Sequence, residues 1–163
     1  MRKLWEMERP GCYLGISGGA GLGYGLGASI GTSLALSGQR GSLVLNLQPD
    51  GDFLFTPSAL WTLAHYNLPL LVVMHNNRAY HNDAEHNKLI AESRGRNANR
   101  AFHEGGDIDS PKVDYARLAT SFGVYGDGPI EQPEDIRRAL EKALNVVRTK
   151  RRPALIDVVT QRR

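Results

Sequence analysis

Apolar positions along the chain fall into short runs separated by polar, glycine-rich or amphipathic segments. Ser42–Leu47 (S-L-V-L-N-L) and Leu70–Met74 (L-L-V-V-M) are apolar nearly throughout, as strands buried on both faces of a parallel sheet are. Ala154–Thr160 predicts another strand, and Tyr13–Ile16 and Val124–Tyr125 predict shorter ones. Gln132–Val147 places Ile136, Leu140, Leu144 and Val147 on one face of an amphipathic helix. Thr56–Tyr66 predicts a helix with Thr56 as N-cap and Pro57 at the first helical position. Val113–Gly123 predicts one that starts near Asp114 and stops before Gly123. The small apolar residues from Leu22 to Leu36 predict a buried helix that packs closely. The polar stretch from Asn76 to Val113 predicts a mobile loop with a short helix around Ala84–Ser93. Strands and helices alternate, so the expected fold class is α/β: an open, mostly parallel sheet with helices on both faces, as a single domain over residues 1–163.

Composition narrows the function classes. No apolar run approaches the ~20 residues of a membrane helix, and M-R-K-L-W-E-M-E-R-P lacks the apolar centre of a secretory signal. A single cysteine, Cys12, excludes an internal disulfide and fits a reducing compartment; a cytoplasmic protein is expected. The net charge of +3 comes largely from basic residues near the two ends, which reads as a solvated surface rather than a nucleic-acid face. Of 18 glycines, seven lie between Gly15 and Gly27, a clustering that composition alone does not explain.

Chemistry-bearing residues sit where strands should end. Asp50 follows the strand over 42–47, and Asn76 and Asn77 follow the strand over 70–74. In open α/β sheets, ligands bind beyond the carboxyl ends of the strands. One carboxylate, a side-chain amide and backbone carbonyls are hard oxygen donors that suit Mg2+ bound together with phosphate. Gly51 would let the backbone approach that phosphate, and backbone N–H groups of Gly18–Gly23 would complete a diphosphate cradle. Asp-Gly and Asn-Asn are also ordinary turn dipeptides, so the residues by themselves leave both readings open.

P-D-G-D-F, with Asp50 placed 27 positions before Asn77 of N-N-R-A-Y, resembles the paired motif of thiamine diphosphate-dependent enzymes, a G-D-G triplet followed some two dozen residues later by N-N. S-G-G-A-G-L-G-Y-G-L-G-A, L-F-T-P-S-A-L-W-T-L-A and Y-N-L-P-L-L-V-V-M-H extend the similarity from about Tyr13 to Thr160. It is nearest in character to the acetolactate synthase and benzoylformate decarboxylase group. The resemblance implies Mg2+ held by the Asp50 carboxylate, the Asn77 amide oxygen and the Ala79 backbone carbonyl. It implies diphosphate contacts from the backbone at Gly51, Asp52 and Tyr80 and from the segment containing Gly18 and Gly19. Leu22 matches the bulky apolar residue that wedges under the bent cofactor, although a plain core leucine would read the same way. Asp83 and His81 are the candidates for handling protons above the thiazolium, and His75 is expected to be packed at a strand end. Two positions depart from the family pattern: Pro49 replaces the first glycine of G-D-G, and Gly27 replaces a frequent proline.

The same resemblance implies a 2-oxo acid substrate, a decarboxylase or carboligase reaction, and a homo- or hetero-oligomer. It also implies a pyrimidine-binding domain or subunit carrying a glutamate that no segment here supplies, so the chain by itself should be catalytically incomplete. The 83–110 segment would then act as a lid. Two other readings remain at this stage. G-Y-G-L-G-A (Gly23–Ala28) fits the G-x-G-x-x-A fingerprint of NAD-binding domains if a strand precedes it. A non-catalytic dimerisation module would use the glycine-rich helix as its packing face.

Overall fold

The computed structural model describes residues 7–8, 10–15, 18–19, 21–39 and 41–161. Four parallel strands form one sheet in the order β1 (Val44–Pro49), β2 (Leu70–Asn76), β4 (Ala154–Val159) and β3 (Tyr125–Ile130). The helices in chain order are α1 (Tyr24–Ala35), α2 (Asp50–Phe53), α3 (Ala59–His65), α4 (His81–Ser93), α5 (Ala98–His103), α6 (Tyr115–Ser121) and α7 (Pro133–Thr149). This is the expected α/β class, and the two faces are covered unequally. Leu70, Val72, Met74 and Leu155 pack with Leu26, Phe53, Leu60, Leu63 and Ala119 of the helices on one side. Leu71, Ala154 and Ile156 pack on the other side against Ala139, Ala143, Val146 and Val147 of α7 alone. Strand side chains alternate between faces, so neighbouring apolar residues such as Leu70 and Leu71 feed both cores.

Local chemistry explains the helices that appear as read. α7 begins at Pro133, whose missing N–H costs nothing at that position. Glu134 and Asp135 then place negative charge in its first turn. Asp114 caps α6, its carboxylate accepting from the Arg117 N–H at 2.7 Å. Gly123 follows α6 at φ +83°, a conformation open to glycine.

Several expectations are corrected. β1 ends at Pro49 rather than Leu47, so Asp50 follows the strand directly. β1 is also an edge strand, and Leu47 is 47% exposed instead of buried. α3 starts at Ala59, with Ser58 preceding it; Thr56 is not its cap, because its hydroxyl is committed to the Gly23 carbonyl. α1 is not a buried helix: Leu26 and Ser33 are its buried residues, while Tyr24 and Leu34 are largely exposed. The polar stretch after β2 is not a loop with one short helix but carries α4 and α5 packed on each other. Asn97 starts α5 by accepting from the Arg100 N–H at 2.9 Å, a cap that the surrounding polar residues disguise. β3 runs to Ile130, well past the short strand expected at Val124–Tyr125. Of the strand expected at Tyr13–Ile16, residues 13–15 form none and Ile16 lies outside the described residues.

Candidate functional site

β1 and β2 are paired in register through Gln48 with Met74 and Pro49 with His75, so their carboxyl ends open at the same level. Asp50, the first residue beyond β1, is 1% exposed. One carboxylate oxygen accepts from the Gly51 N–H at 3.0 Å and the other from the Arg78 N–H at 2.7 Å, across the gap to the end of β2. Burial raises the Asp50 pKa from its ordinary value, and the backbone N–H groups of Gly51, Arg78 and Asp50 itself, with nearby His75, pull it back only in part. Each oxygen, with one hydrogen bond, keeps acceptor capacity.

The turn after β2 is unusual in its backbone. Arg78 has φ +58°, a region that non-glycine residues enter at a cost. Asp50 holds its N–H, Ile108 N–H donates to its carbonyl at 2.8 Å, and its guanidinium meets Glu131 at 3.1 Å. The Asn77 side-chain oxygen accepts from the Ala79 N–H at 3.1 Å. Ala79 is bridged to Asp107 through its neighbours, Arg78 and Tyr80, which leaves the Ala79 carbonyl itself out of that pairing. The structure thus brings Asp50 and the Asn77–Ala79 turn together. Their donors are one carboxylate, one amide and backbone carbonyls; among the described residues, no three His, Cys, Asp or Glu side chains form a ready metal cage.

The other candidates lie around this core. A Cβ added to Gly51 would fall 2.6 Å from two carbons of the Tyr80 ring, so residue 51 must be glycine for Tyr80 to lie where it does. Gly18 and Gly19 sit in an exposed turn. Leu22 is 50% exposed, which removes its reading as a core leucine. Asp83 is exposed on the first turn of α4, and His81 is half-buried with its Nδ1 unpartnered and its ring 6.0 Å from Phe102. His75 is exposed rather than packed, because its side chain alternates outward between buried Met74 and Asn76. No strand precedes α1 among the described residues, so G-Y-G-L-G-A lacks the context of a dinucleotide fingerprint.

Sequence reasoning missed a buried polar layer beneath this site. Asp157 of β4 is fully buried and accepts from the Asn76 amide at 2.9 Å. Burial raises its pKa, with the Asn76 amide and the Tyr115 backbone opposing. Tyr115 is buried edge-on against Phe53 at 5.5 Å, and burial pushes its hydroxyl pKa up, so it stays protonated. An acid within the apolar run A-L-I-D-V-V was the available signal. Gln48 was likewise missed; it is fully buried and hydrogen-bonded to Asn46 and Asp52.

A family model described as the C-terminal TPP binding domain of thiamine pyrophosphate enzymes matches residues 1–158. The chain is 32% identical over 147 residues to a Mycobacterium tuberculosis protein named as an acetolactate synthase large subunit, covering 90% of this chain and 26% of that one. It is 28% identical over 145 residues to a Methanococcus aeolicus protein of the same designation, covering 89% and 22%. The thiamine diphosphate-dependent 4-hydroxybenzoylformate decarboxylase of Rhodococcus jostii RHA1 superposes with a TM-score of 0.68 at 29% identity, over 88% of this chain and 24% of that one. The benzoylformate decarboxylase of Polynucleobacter necessarius shares the fold, with a TM-score of 0.65 at 20% identity over 86% and 24% of the two chains. The chain spans about a quarter of the length of the curated relatives it matches.

Proposed function

Because this chain belongs to the family of C-terminal TPP-binding domains of thiamine pyrophosphate enzymes, we propose that it is the diphosphate-side, Mg2+-binding domain of a 2-oxo acid decarboxylase or carboligase of the acetolactate synthase type. The observation that carries the site is the Asp50 carboxylate, buried between two strand tips and 2.7 Å from the backbone of the turn that contains Asn77. A buried carboxylate satisfied by N–H groups alone remains a net charge at low dielectric. A divalent ion bound there would compensate it.

The residues present fit that group. Asp50, the Asn77 amide oxygen and the Ala79 carbonyl are the hard oxygen donors that Mg2+ takes alongside phosphate. The backbone at Gly51, Asp52 and Tyr80 holds one side of the diphosphate, and the Gly18–Gly19 segment holds the other. Exposed Leu22 would support the cofactor through apolar contact. Asp83 and His81, at the start of α4, hold and move protons at the open side of the site. When bound, thiamine diphosphate supplies the electron sink for cleavage beside a 2-oxo acid carbonyl. A pyrimidine-binding domain, on the same or another chain, completes the site within an oligomer. The quarter-length coverage of the relatives supports this reading, in which the present chain is inactive by itself.

Calorimetric titration of thiamine diphosphate with Mg2+ tests the assignment. Binding by the wild-type chain should be Mg2+-dependent and should be lost in Asp50→Ala. Equal binding by both proteins, or tight NADH binding with none of thiamine diphosphate, would refute it.

A further inference from the structure

Gly23 immediately precedes α1, with φ +87° and no side chain with which to cap the helix. Its N–H is among those that no intrahelical carbonyl can reach. Both of its backbone groups are nevertheless taken by side chains from the segment after β1. The Asp52 carboxylate accepts from the Gly23 N–H at 2.7 Å, and the Thr56 hydroxyl donates to the Gly23 carbonyl at 3.1 Å. The second Asp52 oxygen accepts from the Gln48 amide at 2.5 Å, and the Gln48 carbonyl oxygen accepts from the Asn46 amide at 2.8 Å. Gln48 is fully buried and Asn46 nearly so, so the chain of bonds is anchored in the sheet.

The glycines of this stretch are shaped to the same contact. A Cβ at Gly23 would lie 2.9 Å from the Thr56 methyl carbon and 3.1 Å from the Phe55 Cβ. A Cβ at Gly25 would lie 2.6 Å from the Gln48 amide oxygen and 3.1 Å from an Asp52 oxygen. Both positions therefore exclude a side chain through the atoms of the clasp, and at Gly23 the positive φ excludes one independently.

We propose that Gln48, Asp52 and Thr56 form a side-chain clasp on Gly23, and that Asp52 is a positioning residue whose carboxylate fixes the glycine-rich segment opposite the Asp50–Asn77 tips. Asp52 thus acts through its side chain as well as through the backbone position assigned above. The clasp places exposed Leu22 one residue from an immobilised point and presents the preceding glycine turn to the diphosphate. This second consequence rests on the thiamine diphosphate reading; the clasp itself does not.

Two readouts on the same proteins separate these claims. Amide exchange at Gly23 in the cofactor-free chain, followed by NMR, reports the Asp52 bond directly, because no other described group accepts that proton. Thiamine diphosphate titration at saturating Mg2+ reports positioning. Asp52→Ala should speed Gly23 exchange and raise the cofactor Kd, each by about ten-fold or more, as loss of a charge-assisted hydrogen bond implies. The double exchange Gln48→Glu with Asp52→Asn reverses donor and acceptor within the pair and keeps the net charge; the neutral amide oxygen then at position 52 still accepts from the Gly23 N–H, so it should recover part of both losses relative to Asp52→Ala. If Asp52→Ala does not fold, Thr56→Val supplies the same comparison at the Gly23 carbonyl.

Unchanged Gly23 exchange in Asp52→Ala overturns the clasp. Faster exchange with an unchanged Kd, or a double variant that binds no more tightly than Asp52→Ala, overturns the positioning role. If the wild-type chain binds no thiamine diphosphate, the functional reading fails, and the clasp is decided by Gly23 exchange alone.

Discussion

The Asp50 carboxylate accepts a hydrogen bond at 2.7 Å from the backbone N–H of Arg78, 28 positions further along the chain. The bond joins the end of β1 to the end of β2 at a residue with left-handed backbone, so Asp50 helps to hold the turn that follows Asn77. Asp50→Ala should therefore loosen that turn locally. Hydrogen exchange at the Arg78 amide is expected to speed up by about ten-fold or more, the loss of a hydrogen bond to a charged acceptor. Amides of central β2 residues such as Val72 should be unaffected. Uniform loss of protection throughout β2 would show instead that Asp50 supports the whole sheet.

Gly51 and Tyr80 make a second testable pair. Gly51→Ala drives a methyl group to within 2.6 Å of the Tyr80 ring. Overpacking of this kind costs about 1–3 kcal/mol, read as a lower denaturant midpoint at constant slope. Removing the ring in the double variant with Tyr80→Ala should recover most of the loss that Gly51→Ala adds. Additive effects of the two substitutions would place the strain elsewhere.

Asp157 gives the chain a predictable pH dependence. Burial raises its pKa above the ordinary 3.8, so the folded state binds its proton more tightly than the unfolded state does. The stabilisation from that proton is complete below pH 3.8 and is lost as pH rises through the folded-state value. Asp157→Asn never carries the charge and keeps an acceptor for the Asn76 amide. Its Tm should exceed that of the wild type at pH 7–8, by roughly 2–4 °C per kcal/mol of relief. The difference should shrink towards pH 4. A difference independent of pH would mean that the substitution acts through packing.

How far the sequence carries depends on what set each feature. The apolar runs of β2 and β4 and the 3.6-residue period of α7 are local signals, and they give the α/β class and parallel sheet directly. Asp50 and the Asn77 turn are legible because chemistry at strand ends follows a positional rule. The burial of β1 was misjudged because S-L-V-L-N-L does not say which strand lies at the edge. α4 is legible only as a short helix at Ala84–Ser93 and α5 not at all, because the two pack on each other with few apolar residues, Ala84 and Ala91 among them. The roles of Thr56 and the Asp52 side chain depend on Gly23, 33 and 29 positions away, which no local window contains. Asn76 and Asp157, 81 positions apart, pair for the same reason.

Leu22 and Leu26 separate support of a ligand from support of the fold. They lie four positions apart, Leu22 in the turn before α1 and Leu26 within it, yet Leu22 is 50% exposed while Leu26 is fully buried among Phe53, Leu60 and Leu63. Leu26→Ala should cost about 2–5 kcal/mol through lost burial and the cavity left behind. Leu22→Ala removes a side chain that already faces solvent, and its stability should stay within about 0.5 kcal/mol of wild type. If Leu22 supports a bent cofactor, the same substitution should weaken thiamine diphosphate binding in the presence of Mg2+. The contrast is read by chemical denaturation and calorimetry on the same two variants. Comparable destabilisation by both would show that Leu22 belongs to the core, whereas a stable Leu22→Ala with unaltered cofactor affinity would remove Leu22 from the site and leave Asp50 and the Asn77 turn to hold it.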